Sequence, residues 1–73
     1  MSNIVDARGL SCPQPVIMTV NAIKKVKKGD IVIVVDTDTA KENVSRAAKA
    51  QGWEVADIQP KEDGYSITIR KES

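Results

Sequence analysis

The chain has 73 residues, room for one small domain and no second core. Its 11 basic and 10 acidic side chains leave a net charge of +1, which gives no basis for bulk attraction to nucleic acid or to an anionic membrane. One cysteine and no histidine exclude an internal disulfide, a Cys/His metal cluster and a Cys–His hydrolase, and with aromatics at only 3% the core must be aliphatic.

In chain order, Asn3 to Asp6 predicts a short first strand, followed by a loop holding Arg8, Gly9 and Leu10. Helical spacing begins after Pro13 and Pro15: Val16, Val20 and Ile23 recur at four and three residues, with Ile17 and Val26 widening the stripe and Met18 off it as a gap-filler. Lys24, Lys25, Lys27 and Lys28 crowd the C-terminal end, where the helix dipole favours cations, and read as a solvated helix end. Gly29 is the expected stop. Ile31 to Val35 is an uninterrupted β-branched run, as expected of a central strand buried on both faces. It is also the longest purely apolar run, far too short to cross a bilayer.

The second helix is expected to start at Thr39, with Glu42 completing a capping box, and to place Ala40, Val44, Ala47, Ala48 and Gln51 on one face, mostly small residues that permit close packing on a sheet. Asp36 and Asp38, where a strand end meets the helix start, read as turn and capping residues ahead of the alternative that they line a site near Cys12. Gly52 ends the helix and Trp53 closes the cap through an apolar contact. Trp53, Val55 and Ile58 mark a strand whose broken alternation between 55 and 58 predicts a bulge. Asp63-Gly64 signals a hairpin turn, after which Tyr65, Ile67 and Ile69 alternate with Ser66, Thr68 and Arg70. The order is β-α-β-α-β-β. Right-handed crossovers make the first two strands parallel and set both helices on one face of a four-stranded mixed sheet, an α/β (α+β) two-layer sandwich forming a single domain over residues 1–73.

The chemistry centres on Cys12-Pro13-Gln14-Pro15, which puts the lone thiol at a helix start. Cys12 serves as N-cap with Pro13 at N1, or Ser11 serves as N-cap with Gln14 at N3; either way the sulfur sits at the positive end. A charge there gains about 0.3–1 kcal/mol, up to ~2 in favourable geometry. At roughly 1.4 kcal/mol per unit, that lowers a thiol pKa of about 8.5 by about one unit. Arg8 adds to the effect if its loop folds back. A thiol that accepts a group and passes it to another protein needs neither a histidine base nor a resolving cysteine, and sulfur suits the task because a persulfide forms and leaves by thiolate exchange. The plainer reading of a lone cysteine is a small buried hydrophobe. The flanking prolines and the helix-start position weigh against it here.

The run Asp6-Ala7-Arg8-Gly9-Leu10-Ser11-Cys12-Pro13-Gln14-Pro15 closely resembles the TusA family of sulfur carriers, which includes SirA- and YedF-like members, and the likeness extends over essentially the whole chain. The segment Asp36 to Trp53, with Ala40-Lys41-Glu42-Asn43-Val44, is more similar to YedF-type domains, linked to selenium metabolism, than to TusA proper. The resemblance implies a cytoplasmic, sulfurtransferase-type carrier rather than an enzyme turning over a small molecule, with no cofactor and no metal. Its Cys12 accepts persulfide sulfur from a cysteine desulfurase or rhodanese-like donor and hands it to an acceptor protein. It also implies that Gly9, Leu10, Pro13 and Pro15 shape the loop and helix entry, with Arg8 beside them. Met1 to Asp6 lacks a secretory n-region, in keeping with a reduced thiol. The competing class is a binding or regulatory module, contacting RNA or protein, in which Cys12 is incidental. Such a module needs a basic face with aromatics, and only Trp53 and Tyr65 are available, which argues against direct nucleic-acid binding.

Overall fold

The β-branched residues assemble a sheet with one dry face. The computed structural model describes residues 3–9 and 14–72. Its elements are β1 (Asn3–Asp6), α1 (Gln14–Val26), β2 (Gly29–Val35), α2 (Asp38–Ala50), β3 (Glu54–Lys61) and β4 (Gly64–Lys71). The strands lie in the order β1-β2-β4-β3. β1 runs parallel to β2, and β4 is antiparallel to both its neighbours. The mixed four-stranded sheet and its helical layer are those expected from the element order.

Both helices pack on the face that carries Ile31, Ile33 and Val35 of β2 and Ile67 and Ile69 of β4, all fully buried. Ile23 of α1, with Ala40, Val44 and Ala48 of α2, closes over them, and Trp53 seals one end. Each fully buried Ile contributes about 1.5–3 kcal/mol relative to exposure. The expected burial of β2 on both faces does not occur: Val32 and Val34 are only half-buried. They sit opposite Thr68 and Ser66 of β4, on a sheet face with no helix over it among the described residues. The neighbouring Asp30–Arg70 cross-strand pair carries a 2.8 Å ion pair.

Three local expectations are corrected. The α1 face turned to the core is Pro15, Thr19 and Ile23, flanked by Met18, Ala22 and Val26, rather than the Val16/Val20 stripe, and Ile17 is exposed. Thr19 tolerates full burial because its hydroxyl donates to the Pro15 carbonyl at 2.8 Å, within its own helix. The helix stops at Val26, not at Gly29: Lys27 adopts φ +70° and returns its N–H to the Ile23 carbonyl, while Gly29 already belongs to β2. The N-cap of α2 is Thr37, not Thr39; its hydroxyl accepts the Ala40 N–H at 3.0 Å from an extended backbone.

Other signals hold. Gly52 N–H donates to Lys49 O and Trp53 N–H to Ala48 O, the paired bonds of a Schellman cap with Trp53 buried at C″. The register of β3 shifts between Val55 and Asp57, where the bulge was expected. The hairpin turn falls one residue earlier than expected: Glu62 and Asp63, not Asp63-Gly64, form the two-residue loop, with Lys61 opposite Gly64 of β4. At Gly64 a Cβ would run into the Val35 carbonyl oxygen and stand 2.8 Å from the Asp36 Cα, so the hairpin closes onto the end of β2 only without a side chain there.

Candidate functional site

The parallel pairing of β1 and β2 brings their C-terminal ends to one edge of the sheet. The loop toward α1, the β2–α2 corner and the β3–β4 turn all converge on that edge, the usual place for function in sheets with parallel strands. An open depression there is lined by Asp6, Arg8, Gly9, Asp36 and Asp63.

Asp6 ends β1 and turns the chain back on itself. Its Oδ1 accepts both the Arg8 backbone N–H, at 3.1 Å, and Arg8 Nε, at 3.0 Å. Its Oδ2 accepts the guanidinium again at 2.9 Å, giving a bidentate pair. The second arm of Arg8 reaches Asp63 in the hairpin turn at 3.5 Å. These hydrogen bonds hold the Asp6 carboxyl down at about 2, and Asp6 in turn raises the Arg8 guanidinium. Arg8 therefore folds back, but its charge is met by two carboxylates.

Gly9 follows with φ +76° and open space where a Cβ would stand, so the left-handed turn itself is the reason for glycine. Its N–H donates to Asp36 Oδ2 at 2.8 Å, across 27 residues of sequence. The stem of the loop is thus fixed to the β2–α2 corner by Asp36 and to the hairpin by Asp63.

At the far end of the loop, α1 begins at Gln14 with no acidic residue in its first turn, and Pro15 is fully buried beneath it. α2 starts at the same edge but carries both the Thr37 cap and Asp38. Asp38 pairs with Lys41 at 3.3 Å, and the nearby Tyr65 hydroxyl and Lys41 together lower its carboxyl, while Asp38 raises the Tyr65 phenol. Lys41 Nζ also lies 4.6 Å from the Tyr65 ring centroid.

Of the candidate site residues, Arg8, Gly9 and Pro15 lie among the described residues, and the first two line the same depression. Leu10, Cys12 and Pro13 lie outside them, as does the choice between Ser11 and Cys12 as N-cap. Sequence reasoning did not pair Arg8 with Asp6 and Asp63. An Asp two residues before an Arg at a strand end was the signal for the first partner, and the hairpin's return to the same edge for the second. Among the described residues no group of three or more His, Cys, Asp or Glu side chains is arranged to hold a metal ion.

Residues 3–71 match the family described as "Sulfurtransferase TusA". A protein of Archaeoglobus fulgidus is 30% identical over 69 residues, covering 93% of this chain and 94% of its own. "Sulfur carrier protein TusA" of Pseudomonas aeruginosa is 31% identical over 71 residues, covering 96% and 90%. The crystal structure of a SirA-like protein from Desulfitobacterium hafniense superposes with a TM-score of 0.86 at 25% identity, over the full length of both chains. With this fold and this match along nearly its whole length, the chain belongs to the TusA family of sulfur carriers.

Proposed function

We propose that this protein is a cytoplasmic persulfide relay whose carrying atom is the sulfur of Cys12. Its membership of the TusA family supports a sulfur-relay role in general, with a donor and an acceptor protein. The donor in this reading is a cysteine desulfurase or a rhodanese-like protein. The observation that carries the assignment of Cys12 is the bare start of α1. The helix that begins at Gln14, two residues after Cys12 in sequence, has no carboxylate in its first turn, and a helix start of that kind favours an anion, of which a thiolate is one. Gly9, anchored by Asp36, and Pro15, buried in the first turn of α1, stand at the two ends of the loop. Family resemblance adds Arg8, Leu10 and Pro13 as the residues of the thiol's environment and of partner binding. No helix among the described residues is long and apolar enough to cross a membrane.

The transfer is thiol exchange without net oxidation. The Cys12 thiolate attacks the outer sulfur of the donor's persulfide; the new S–S bond forms on Cys12 as the donor's S–S bond breaks, and the donor leaves as a thiolate. The acceptor's nucleophile then attacks the terminal sulfur, and Cys12 departs as thiolate. Neither step needs a histidine or a second cysteine on this chain.

The test is to incubate the purified protein with a cysteine desulfurase and cysteine and weigh it intact. The expected result is a reductant-sensitive gain of one sulfur on the parent and none on Cys12→Ser. An unchanged parent mass with both desulfurase and rhodanese donors overturns the reading. Retained partner binding by Cys12→Ser, with no sulfur on either protein, identifies a binding module instead.

A further inference from the structure

We propose that the groove between β1 and α1 is a docking site for an extended, acidic segment of a protein partner, which adds as a strand to the free edge of β1. The floor of this groove and its lysines lie outside the depression at the loop edge, and docking there does not depend on what the thiol carries.

The sheet has two edges, and they are guarded unequally. β3, at one edge, carries a register shift between Val55 and Asp57, a proline at position 60 and the charges of Glu54, Asp57 and Lys61. A bulge, a residue without an N–H and a charged edge all discourage a further strand. β1, at the other edge, pairs with β2 in unbroken register and holds no proline and no basic residue. The Ala7 N–H just past it donates to the Val34 carbonyl, so by alternation Val5 faces β2 while the backbone groups of Ile4 and Asp6 point outward. No strand lies beyond them among the described residues, and Ile4 is 72% exposed.

The groove supplies the rest of the chemistry. Val5, Met18, Ala22 and Val26 give it a half-buried apolar floor, and the exposed Lys25 lines it beside them. Lys24, Lys27 and Lys28 stand exposed at the same helix end, and none of the four lysines is in an ion pair among the described residues. α1 holds no acidic residue from Gln14 to Val26, so these charges are left for a partner. In a chain of net charge +1, four such lysines within five residues are a strong local excess. A second copy of this chain would bring the same carboxylate-free α1 to the shared edge and so does not match them. Nucleic acid matches the charge but not the apolar floor, and among the described residues no aromatic side chain lines the groove for bases to stack on. A strand with apolar side chains toward α1 and carboxylates toward the lysines fits edge, floor and charge together. The four residues of β1 are too few for pairing alone to hold a partner, so the contact is weak and reversible.

The experiment is an NMR titration of the parent with a short capped peptide of alternating valine and glutamate. Amide shifts are expected at Ile4, Val5 and Asp6 and along α1 from Met18 to Val26, with none along β3. Lys25→Glu, at an exposed helix position, is expected to weaken binding about threefold or more and to favour the matching valine–lysine peptide instead. Ile4→Pro, which removes one outward N–H, is expected to lose binding while its circular dichroism stays that of the parent; should it fail to fold, Lys25→Glu still decides. No binding, shifts confined to other surfaces, or binding unchanged by Lys25→Glu overturns the proposal. A single-stranded oligonucleotide that displaces the peptide from these lysines, or a parent dimer whose contacts map to β1, overturns it by naming another occupant. The titration uses no sulfur donor, so a failure to dock and a failure to load sulfur are separately visible.

Discussion

The two helices begin at the same edge of the sheet and differ in the charge of their first turns. α2 is closed by its own residues: the Thr37 hydroxyl takes the Ala40 N–H, and Asp38 places a carboxylate in the first turn. α1 opens on Gln14-Pro15 with no acidic side chain there. A capped, charge-compensated start serves stability, while an uncompensated one keeps its positive end available. In the proposed relay the start of α1 is the one that serves chemistry, and the carboxylates Asp6, Asp36 and Asp63 gather on the β1 end, the β2–α2 corner and the hairpin rather than on that helix.

The sharpest break of that contrast is Cys12→Ser, which is expected to abolish sulfur loading altogether while leaving the fold intact. Thr37→Ala comes next and acts on the other helix. Loss of the cap costs about 1 kcal/mol. For a domain of this size that lowers the melting temperature by about 4–8 °C in a thermal scan. The Cys12 alkylation profile is expected to stay where it was; a profile that moved with the cap would show that the two starts are not independent.

A smaller effect is expected from Gln14→Glu, which gives α1 the acidic first turn that α2 already has. The helix gains about 0.3–1 kcal/mol from the dipole, and the thiolate loses a comparable share of its advantage. Alkylation at pH 7 is expected to slow by about twofold or more while thermal stability rises slightly. The smallest expected effect is that of Asp6→Asn. Arg8 holds the Asp6 carboxyl at about 2, below its ordinary value near 3.8, so its stabilising contribution is present above about pH 4 and is lost as pH falls through about 2. Because the pair is solvent-exposed, the stability gap between parent and Asp6→Asn is expected to be small at pH 6 and to close near pH 2, as read by denaturant melts.

Much of this architecture was legible in the sequence because each element carried its own period. Gly52-Trp53 announced a helix cap that formed with both of its hydrogen bonds, and the missed beat after Val55 announced a bulge. What sequence misread was cases where two readings differ by a few atoms. Thr37 and Thr39 both precede a residue three positions on that can complete a cap. Ending β2 at Val35 leaves the extended backbone at Thr37, and the helix starts there. The core face of α1 was displaced because hydropathy counts Thr19 as polar, whereas a hydroxyl bonded to the Pro15 carbonyl can be buried without loss. Val32 and Val34 were assigned to a second dry face because strand preference and burial favour the same β-branched side chains. At the site, Cys12 and its loop were conspicuous in the motif. The carboxylates that tie the stem were not, because Asp6, Asp36 and Asp63 become neighbours only through the parallel pairing of β1 with β2 and the return of the hairpin.

Gly64 shows how far such a tie can reach. With no side chain, it lets the hairpin settle onto the last residue of the central strand, and that seating sets the height at which Asp63 meets Arg8. Even one added methyl group would wedge the turn outward and loosen Arg8 from behind, from a position that is not one of its hydrogen-bonding or ion-pairing partners.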